Sequence, residues 1–122
     1  MNPAVYFEIP VTDMSRAISF YNAVFGFDFE IEDIDGYQMA LFPFDDKTGG
    51  ATGALAKGDV YVPSINGSII YFGTDEIHQT LDKAVKAGAK ILYSVKSNGS
   101  FGFVAEFQDS EGNRIALHQK AE

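Results

Sequence analysis

The chain predicts an α+β fold of two tandem βαβββ units, residues 4–57 and 68–119, joined by a connector over 58–67 in one domain spanning 1–122. Three observations carry this. The sequence nearly repeats itself: Val5-Tyr6-Phe7-Glu8-Ile9-Pro10 leads through Asp13 into an amphipathic stretch that stops at Phe25-Gly26-Phe27. Ser68-Ile69-Ile70-Tyr71-Phe72 then leads through Asp75 into another that stops at Ala87-Gly88-Ala89. Overlaid, Asp13 falls on Asp75 and Gly26 on Gly88, the mark of two copies of one supersecondary unit sharing a core. Within each copy the apolar period changes from two to that of a helix and back again. Glycine and asparagine turn signals separate the segments at strand-like spacing.

The elements follow in order. Val5, Phe7 and Ile9 alternate with Tyr6, Glu8 and Pro10, as in a strand with one dry face. Thr12 or Asp13 is placed to cap the next helix, because a short oxygen-bearing side chain accepts from the unpaired N–H groups of the first turn. Ala17, Ile18, Tyr21, Val24 and Phe25 recur at helical spacing and form its buried stripe, so Tyr21 and Phe25 belong to the core. Gly26 supplies a left-handed stop. Strands over Phe27–Glu32, Tyr37–Phe42 and Ala51–Lys57 complete the unit, the first two joined at Asp35-Gly36. Pro63, Asn66 and Gly67 mark the connector. The second unit runs through a strand at Ser68–Gly73, a helix at Glu76–Ala87, and strands at Lys90–Val95, Gly102–Gln108 and Asn113–Gln119. Asp109-Ser110-Glu111-Gly112-Asn113 turns between the last two. His78, among Asp75, Glu76 and Gln79, reads as a solvated helix residue.

Composition narrows the function classes. A chain of 122 residues with 11 phenylalanines can bury about two-thirds of its unfolded surface. The absence of cysteine removes disulfides, thiol nucleophiles and zinc-finger chemistry. A net charge of −8 argues against nucleic acid, which needs a basic face, and serves solubility instead. No apolar run approaches the ~20 residues of a membrane span, and the amino terminus lacks the basic flank and apolar centre of a secretory signal. The expectation is a cytoplasmic protein whose partner is a small organic molecule, not nucleic acid or membrane.

FEIPVTDMSRAISFYNAVFGF (7–27), GALAKGDVYVP (53–63), FGTDEIHQTLDKAVKAGAKIL (72–92) and FQDSEGNRIALH (107–118) together resemble the vicinal oxygen chelate superfamily. That group includes glyoxalase I, extradiol dioxygenases, fosfomycin-resistance enzymes, methylmalonyl-CoA epimerase and bleomycin-binding proteins. The resemblance covers essentially the whole chain. It implies an eight-stranded mixed sheet cupped around a cavity between the units, with the helices outside. Val5, Phe7, Ile9, Ile115 and Leu117 would then pack beneath the helices, while Tyr6, Glu8, Arg114, Ala116 and His118 point into the cup. It also implies a homodimer.

Metal-using members draw ligands from two strands of each unit. Those places fall on Tyr6, near Ala54, on Ser68 or Ile69 depending on a one-residue slip, and on Ala116. These side chains are not ordinary ligands for a divalent ion that polarises paired substrate oxygens. The expectation is therefore no metal cofactor, and a metal-independent small-molecule-binding protein. A divalent ion held instead by Glu8, Glu106 and His118 is a chemically possible facial triad, although nothing in their spacing requires it.

The polar residues left facing the cavity are Tyr6, Glu8, Glu106, Gln108, Arg114 and His118, with Phe103, Ala105 and Phe107 turned to the helices. Glu8 and His118 read either as a catalytic acid–base pair for proton abstraction beside a carbonyl or as a satisfied polar pair. The first makes the protein a lyase or isomerase acting on a small carbonyl compound. Arg114 reads as a carbonyl or anion contact or as a surface ion pair. Tyr61 reads as a lid or as cover for the sheet edge. Tyr6, Tyr61, Glu106, Gln108 and Arg114 complete the ligand-binding set.

Overall fold

The structure, a computed structural model, describes residues 2–122. Its elements run β1 (Tyr6–Val11), α1 (Met14–Phe25), β2 (Glu30–Ile34), β3 (Tyr37–Leu41), β4 (Thr52–Lys57), β5 (Ile70–Gly73), α2 (Ile77–Lys86), β6 (Lys90–Ser97), β7 (Phe103–Gln108) and β8 (Arg114–Gln119). A short 3-10 turn at Gly99–Phe101 joins β6 to β7. This is the expected βαβββ order, twice. The strands divide into two four-stranded sheets, ordered β1-β4-β3-β2 and β5-β8-β7-β6. In each, the unit's first strand pairs in parallel with its last and the other pairings are antiparallel. β1 and β5 each end a sheet, and they meet through ring packing, with Phe7 edge-on to Phe72 at 6.0 Å.

Several boundaries move for physical reasons. Val5 is 67% exposed and does not pack beneath the helices, because the ladder with β4 starts only at Tyr6 and Thr52. β2 begins at Glu30 instead of Phe27, since Phe27 and Phe29 are spent on the aromatic core. α1 follows its expected capping: Asp13 accepts from the Arg16 N–H at 3.0 Å, and Gly26 closes the helix in the left-handed region at φ 73°. α2 breaks the repeat. Its cap residue is Glu76, without a side-chain cap bond, and Gln119 of β8 accepts from the Ile77 N–H instead of Asp75.

One apolar core draws on both units. Ile9, Val11, Ala17, Tyr21 and Leu55 from the first meet Ile77, Leu81, Phe107, Ile115 and Leu117 from the second. Phe20, absent from the expected stripe, is buried against Tyr21 and Phe107. Gly53 is needed where β4 passes β1. A Cβ built there would lie 2.0 Å from the Phe7 carbonyl oxygen and 2.7 Å from the Phe7 ring, so the ring lies across the glycine.

The β7–β8 turn reaches back into the first unit. Asp109 is buried and accepts from the Tyr21 hydroxyl at 2.6 Å, the Glu111 N–H at 2.9 Å and the Asn113 N–H at 2.8 Å. Asn113 donates to the Pro10 carbonyl at 2.7 Å. Glu111 accepts from the Thr12 and Asp13 N–H groups, each at 2.9 Å, and from Arg16 Nε at 2.7 Å, so a residue of unit two caps the helix of unit one. At the far edges, β2 carries Glu30, Glu32 and Asp33, whereas β6 carries Lys90 and Lys96 and is broken by irregular register on either side of Tyr93.

Burial pushes the Glu111 carboxyl up, but the Arg16 guanidinium and the Asp13, Thr12 and Ser110 donors outweigh it and hold the pKa at about 2, below the ordinary 4.5. A depressed carboxyl stabilises the fold above the unfolded value and loses that contribution as pH falls from 4.5 through about 2. With Arg16 half exposed, the charged form contributes on the order of 2 kcal/mol. Urea unfolding of Glu111→Gln is expected to show that loss at neutral pH and a flatter acid limb than the parent; equal stability at pH 7 with an unchanged acid limb contradicts it.

Candidate functional site

The face turned away from the helices is built by alternation. Along β1, Phe7, Ile9 and Val11 go to the core, which leaves Tyr6, Glu8 and Pro10 on the other side. Beside them lie Ala54 and Ala56 of β4 and Met39 of β3, a small apolar cluster separate from the main core, on which Tyr37, Leu41 and Tyr61 pack. Tyr61 comes from the connector. Its ring stands edge-on to Tyr37 at 5.5 Å, and its hydroxyl donates to Glu8 Oε1 at 2.9 Å. Tyr6 donates to the other oxygen, Oε2, at 3.1 Å. Gly58 makes room for this arrangement, because a Cβ there would lie 2.0 Å from the Tyr37 ring. The Glu8 carboxylate is thus held between two phenols.

Both phenols respond to it. Hydrogen bonding to Glu8, then burial and the charge of Glu8, push Tyr61 up to about 12. Burial first, and then Glu8, raise Tyr6 above the usual tyrosine value. Each stays protonated and donating through the physiological range.

The second unit contributes Tyr71 of β5, Val104 and Glu106 of β7, and Arg114, Ala116 and His118 of β8, matched across the ladders. Arg114 donates through Nε to Glu106 Oε1 at 2.6 Å, with Glu106 largely buried and Arg114 half open to solvent. Gln108 lies opposite Arg114 at the end of β7, half buried. His118 Nε2 lies 2.5 Å from the Phe101 carbonyl oxygen, with the Phe101 ring against the imidazole at 4.8 Å and Tyr71 edge-on beyond it.

The structure thus brings Glu8, Tyr6 and Tyr61 together, and Glu106 with Arg114. It does not join Glu8 to His118: among the described residues no hydrogen bond links them, and each is engaged elsewhere. Sequence reasoning placed both on one face but could not see that the Gly99–Phe101 turn delivers a carbonyl to the imidazole. The crevice between the units that Glu8 and Arg114 do share, with Ser64 and Ser68, holds only about 50 Å³.

The positions where the resemblance expects metal ligands can now be read in place. Ile70 and Phe72 pair with Ile115 and Leu117 on the core side, so alternation makes Ile69, and not Ser68, the counterpart of Tyr6. Tyr6, Ala54, Ile69 and Ala116 offer a protonated phenol and three hydrocarbon side chains, and Tyr61 packs against the cluster that contains Ala54. Among the described residues no three His, Cys, Asp or Glu side chains are grouped to hold an ion, and Glu8, Glu106 and His118 sit in three separate bonding arrangements. The donor set does not fit the family's metal. No helix of the described residues is long and apolar enough to cross a membrane.

The model of the Glyoxalase/Bleomycin resistance protein/Dioxygenase superfamily matches residues 4–117. A glyoxylase-like domain-containing protein of Didymella fabae is 32% identical over 117 residues, covering 90% of this chain and 88% of its own length. Among solved structures, the antibiotic-binding protein TnmS3 of a Streptomyces species superposes with a TM-score of 0.74 at 22% identity over 99% of this chain and 98% of its own. A glyoxalase family protein of Bacillus cereus superposes with a TM-score of 0.76 at 17% identity, over 100% of this chain and 96% of its own. At these identities the superpositions speak for the fold.

The phenol–carboxylate arrangement is open to direct measurement. A raised tyrosine pKa favours the fold below pH 10, and that contribution is lost as pH climbs through about 12. Site-resolved NMR titration of the Tyr61 ring carbon is expected to show the high value in the parent and a return toward 10 in Glu8→Gln; an unchanged Tyr61 titration in that variant refutes the link.

Proposed function

The chain belongs to the Glyoxalase/Bleomycin resistance protein/Dioxygenase superfamily, and from that premise we propose that it is a metal-independent protein that binds a small organic molecule on the face between its two units. The observation that carries the reading is the donor chemistry at the four family ligand positions: a protonated phenol, two alanines and an isoleucine, with Tyr61 packed against the cluster that holds one of the alanines. Polarisation of a carbonyl or catechol by a bound ion has no residues to support it there.

The same residues suit a binder. Met39, Ala54, Ala56, Tyr37 and Tyr61 make an apolar, aromatic floor in the first unit. Glu8 supplies an acceptor oriented by two hydroxyls, and Arg114, already paired with Glu106, keeps further guanidinium donors for a carbonyl or carboxylate. Tyr61 acts as the lid: it is fastened to Glu8 by one hydrogen bond on a connector whose Val60, Val62 and Ile65 are exposed. That the similar TnmS3 is described as antibiotic-binding agrees with a carrier or sequestering role. A homodimer, with the connector's exposed apolar residues at the contact, and a cytoplasmic location go with this reading; a monomer by light scattering removes the first.

Calorimetry against a panel of small organic molecules is expected to find saturable binding that survives a chelator. Glu8→Gln or Arg114→Ala should each weaken it by about tenfold, the scale of one lost charge-assisted hydrogen bond. Binding restored only by added divalent metal sinks the proposal. So does turnover of a small carbonyl compound that both Glu8→Gln and His118→Ala abolish, which instead identifies a lyase or isomerase.

A further inference from the structure

A second cavity, of about 370 Å³, opens on the seam where β1 and β5 meet. Four phenylalanines, Phe7, Phe27, Phe42 and Phe72, form its inner wall. They are linked by tilted and edge-on contacts of 5.4 to 6.1 Å and belong to the main core. Phe7, Phe27 and Phe72 are only partly buried although the rings they touch, Phe42 and Tyr21, are closed off. The aromatic core is therefore open to solvent at this place.

The opening follows from the local chain. The Phe7 ring is pinned across Gly53, with its carbonyl and ring edge where a Cβ would stand, so it does not rise to fill the seam. Gly49, Gly50, Ala51 and Gly73 add no bulk to the rest of the lining, which also includes Ile70 and Tyr71. No charged side chain lines the cavity among the described residues. Its polar atoms belong to backbone groups and to the hydroxyls of Thr52 and Tyr71. The Thr52 hydroxyl already donates toward the Phe42 and Pro43 carbonyls and keeps only acceptor capacity, and β1 and β5 do not pair with each other along the seam.

We infer that this cavity is a binding site for an uncharged aromatic molecule of one or two fused rings. Its size, its phenylalanine wall and the lack of a charged lining side chain agree. A dry pocket of about 150 Å³ takes benzene, so this volume accommodates two fused rings with room for a substituent. Aromatic walls favour offset and edge-on packing against a flat guest. A charged guest would lose its hydration to walls with no countercharge. The site is separate from the Glu8 and Arg114 arrangement and does not rest on the binding role proposed above.

Indole is a direct probe, because the chain contains no tryptophan and is dark beyond the tyrosine absorption band. Fluorescence titration is expected to show saturable indole binding, and indole-3-carboxylate should bind more weakly by about tenfold or more. Ala51→Leu and Gly73→Leu each add bulk at a wall residue that is exposed, and a Cβ at Gly73 meets nothing within 4 Å. Either should reduce indole affinity by about tenfold with unchanged circular dichroism and melting temperature. Glu8→Gln and Tyr61→Phe should alter it by less than about twofold. The inference is overturned if indole binding does not saturate, or if both filled variants bind it as the parent does. Loss in the Glu8→Gln and Tyr61→Phe variants also overturns it, since that places indole on the polar face, and carboxylate binding equal to that of indole overturns the stated ligand class.

Discussion

The hydrogen bond from the Tyr21 hydroxyl to the Asp109 carboxylate, 2.6 Å long and buried, ties α1 of the first unit to the β7–β8 turn of the second. Burial and the charge of Asp109 hold the Tyr21 phenol well above its usual pKa, so it remains a donor through the physiological range. Asp109 meanwhile accepts from two backbone N–H groups of its own turn and fixes the turn's shape. From that shape Glu111 reaches the amino end of α1 and Asn113 reaches the end of β1. The two sheets share no ladder, so this polar junction, the ring contacts beside it and the shared apolar core set one unit against the other. A buried, fully satisfied network of this kind specifies an arrangement in a way that apolar packing alone does not.

Much of this was legible beforehand. Period-two and helical alternation placed each helix, the core face of β1 and β8, and the shared face of Tyr6, Glu8, Glu106, Arg114 and His118, because these depend on neighbours in sequence. Choice of partner was not legible. Glu8 lies within reach of Tyr61 through a connector with no periodicity, and His118 meets the Phe101 carbonyl through a short turn that no pattern announced. The turn at 109–113 read as a simple reversal, yet Asp, Glu and Asn there all bond across it or across the unit boundary. The repeat left Ser68 and Ile69 both open at β5, and alternation carried back from Ile70 of the ladder favours Ile69. The start of α2 is held both by Thr74 of its own loop, which accepts from the Glu76 N–H, and by Gln119 of β8.

The two halves of the inner face have diverged in how they use space. In the first, alanines at 54 and 56 leave a hollow that a tyrosine from the connector occupies, and the carboxylate is satisfied by hydroxyls. In the second, the acid is neutralised by a guanidinium in its own sheet. The first half is uncharged apart from one oriented acceptor, and the second retains spare cationic donors.

The outer edges have a consequence for how copies of this chain behave in a crowded solution. An exposed strand edge is a template for indefinite β-sheet growth. Here the β2 edge is acidic, the β6 edge carries lysines, and joining one to the other head-to-tail is the kind of contact that does not close on itself and so makes fibres. The irregular register on either side of Tyr93 interrupts the straight run of backbone donors and acceptors that such a junction requires. The opposite charges that would draw the edges together are thereby denied a continuous ladder.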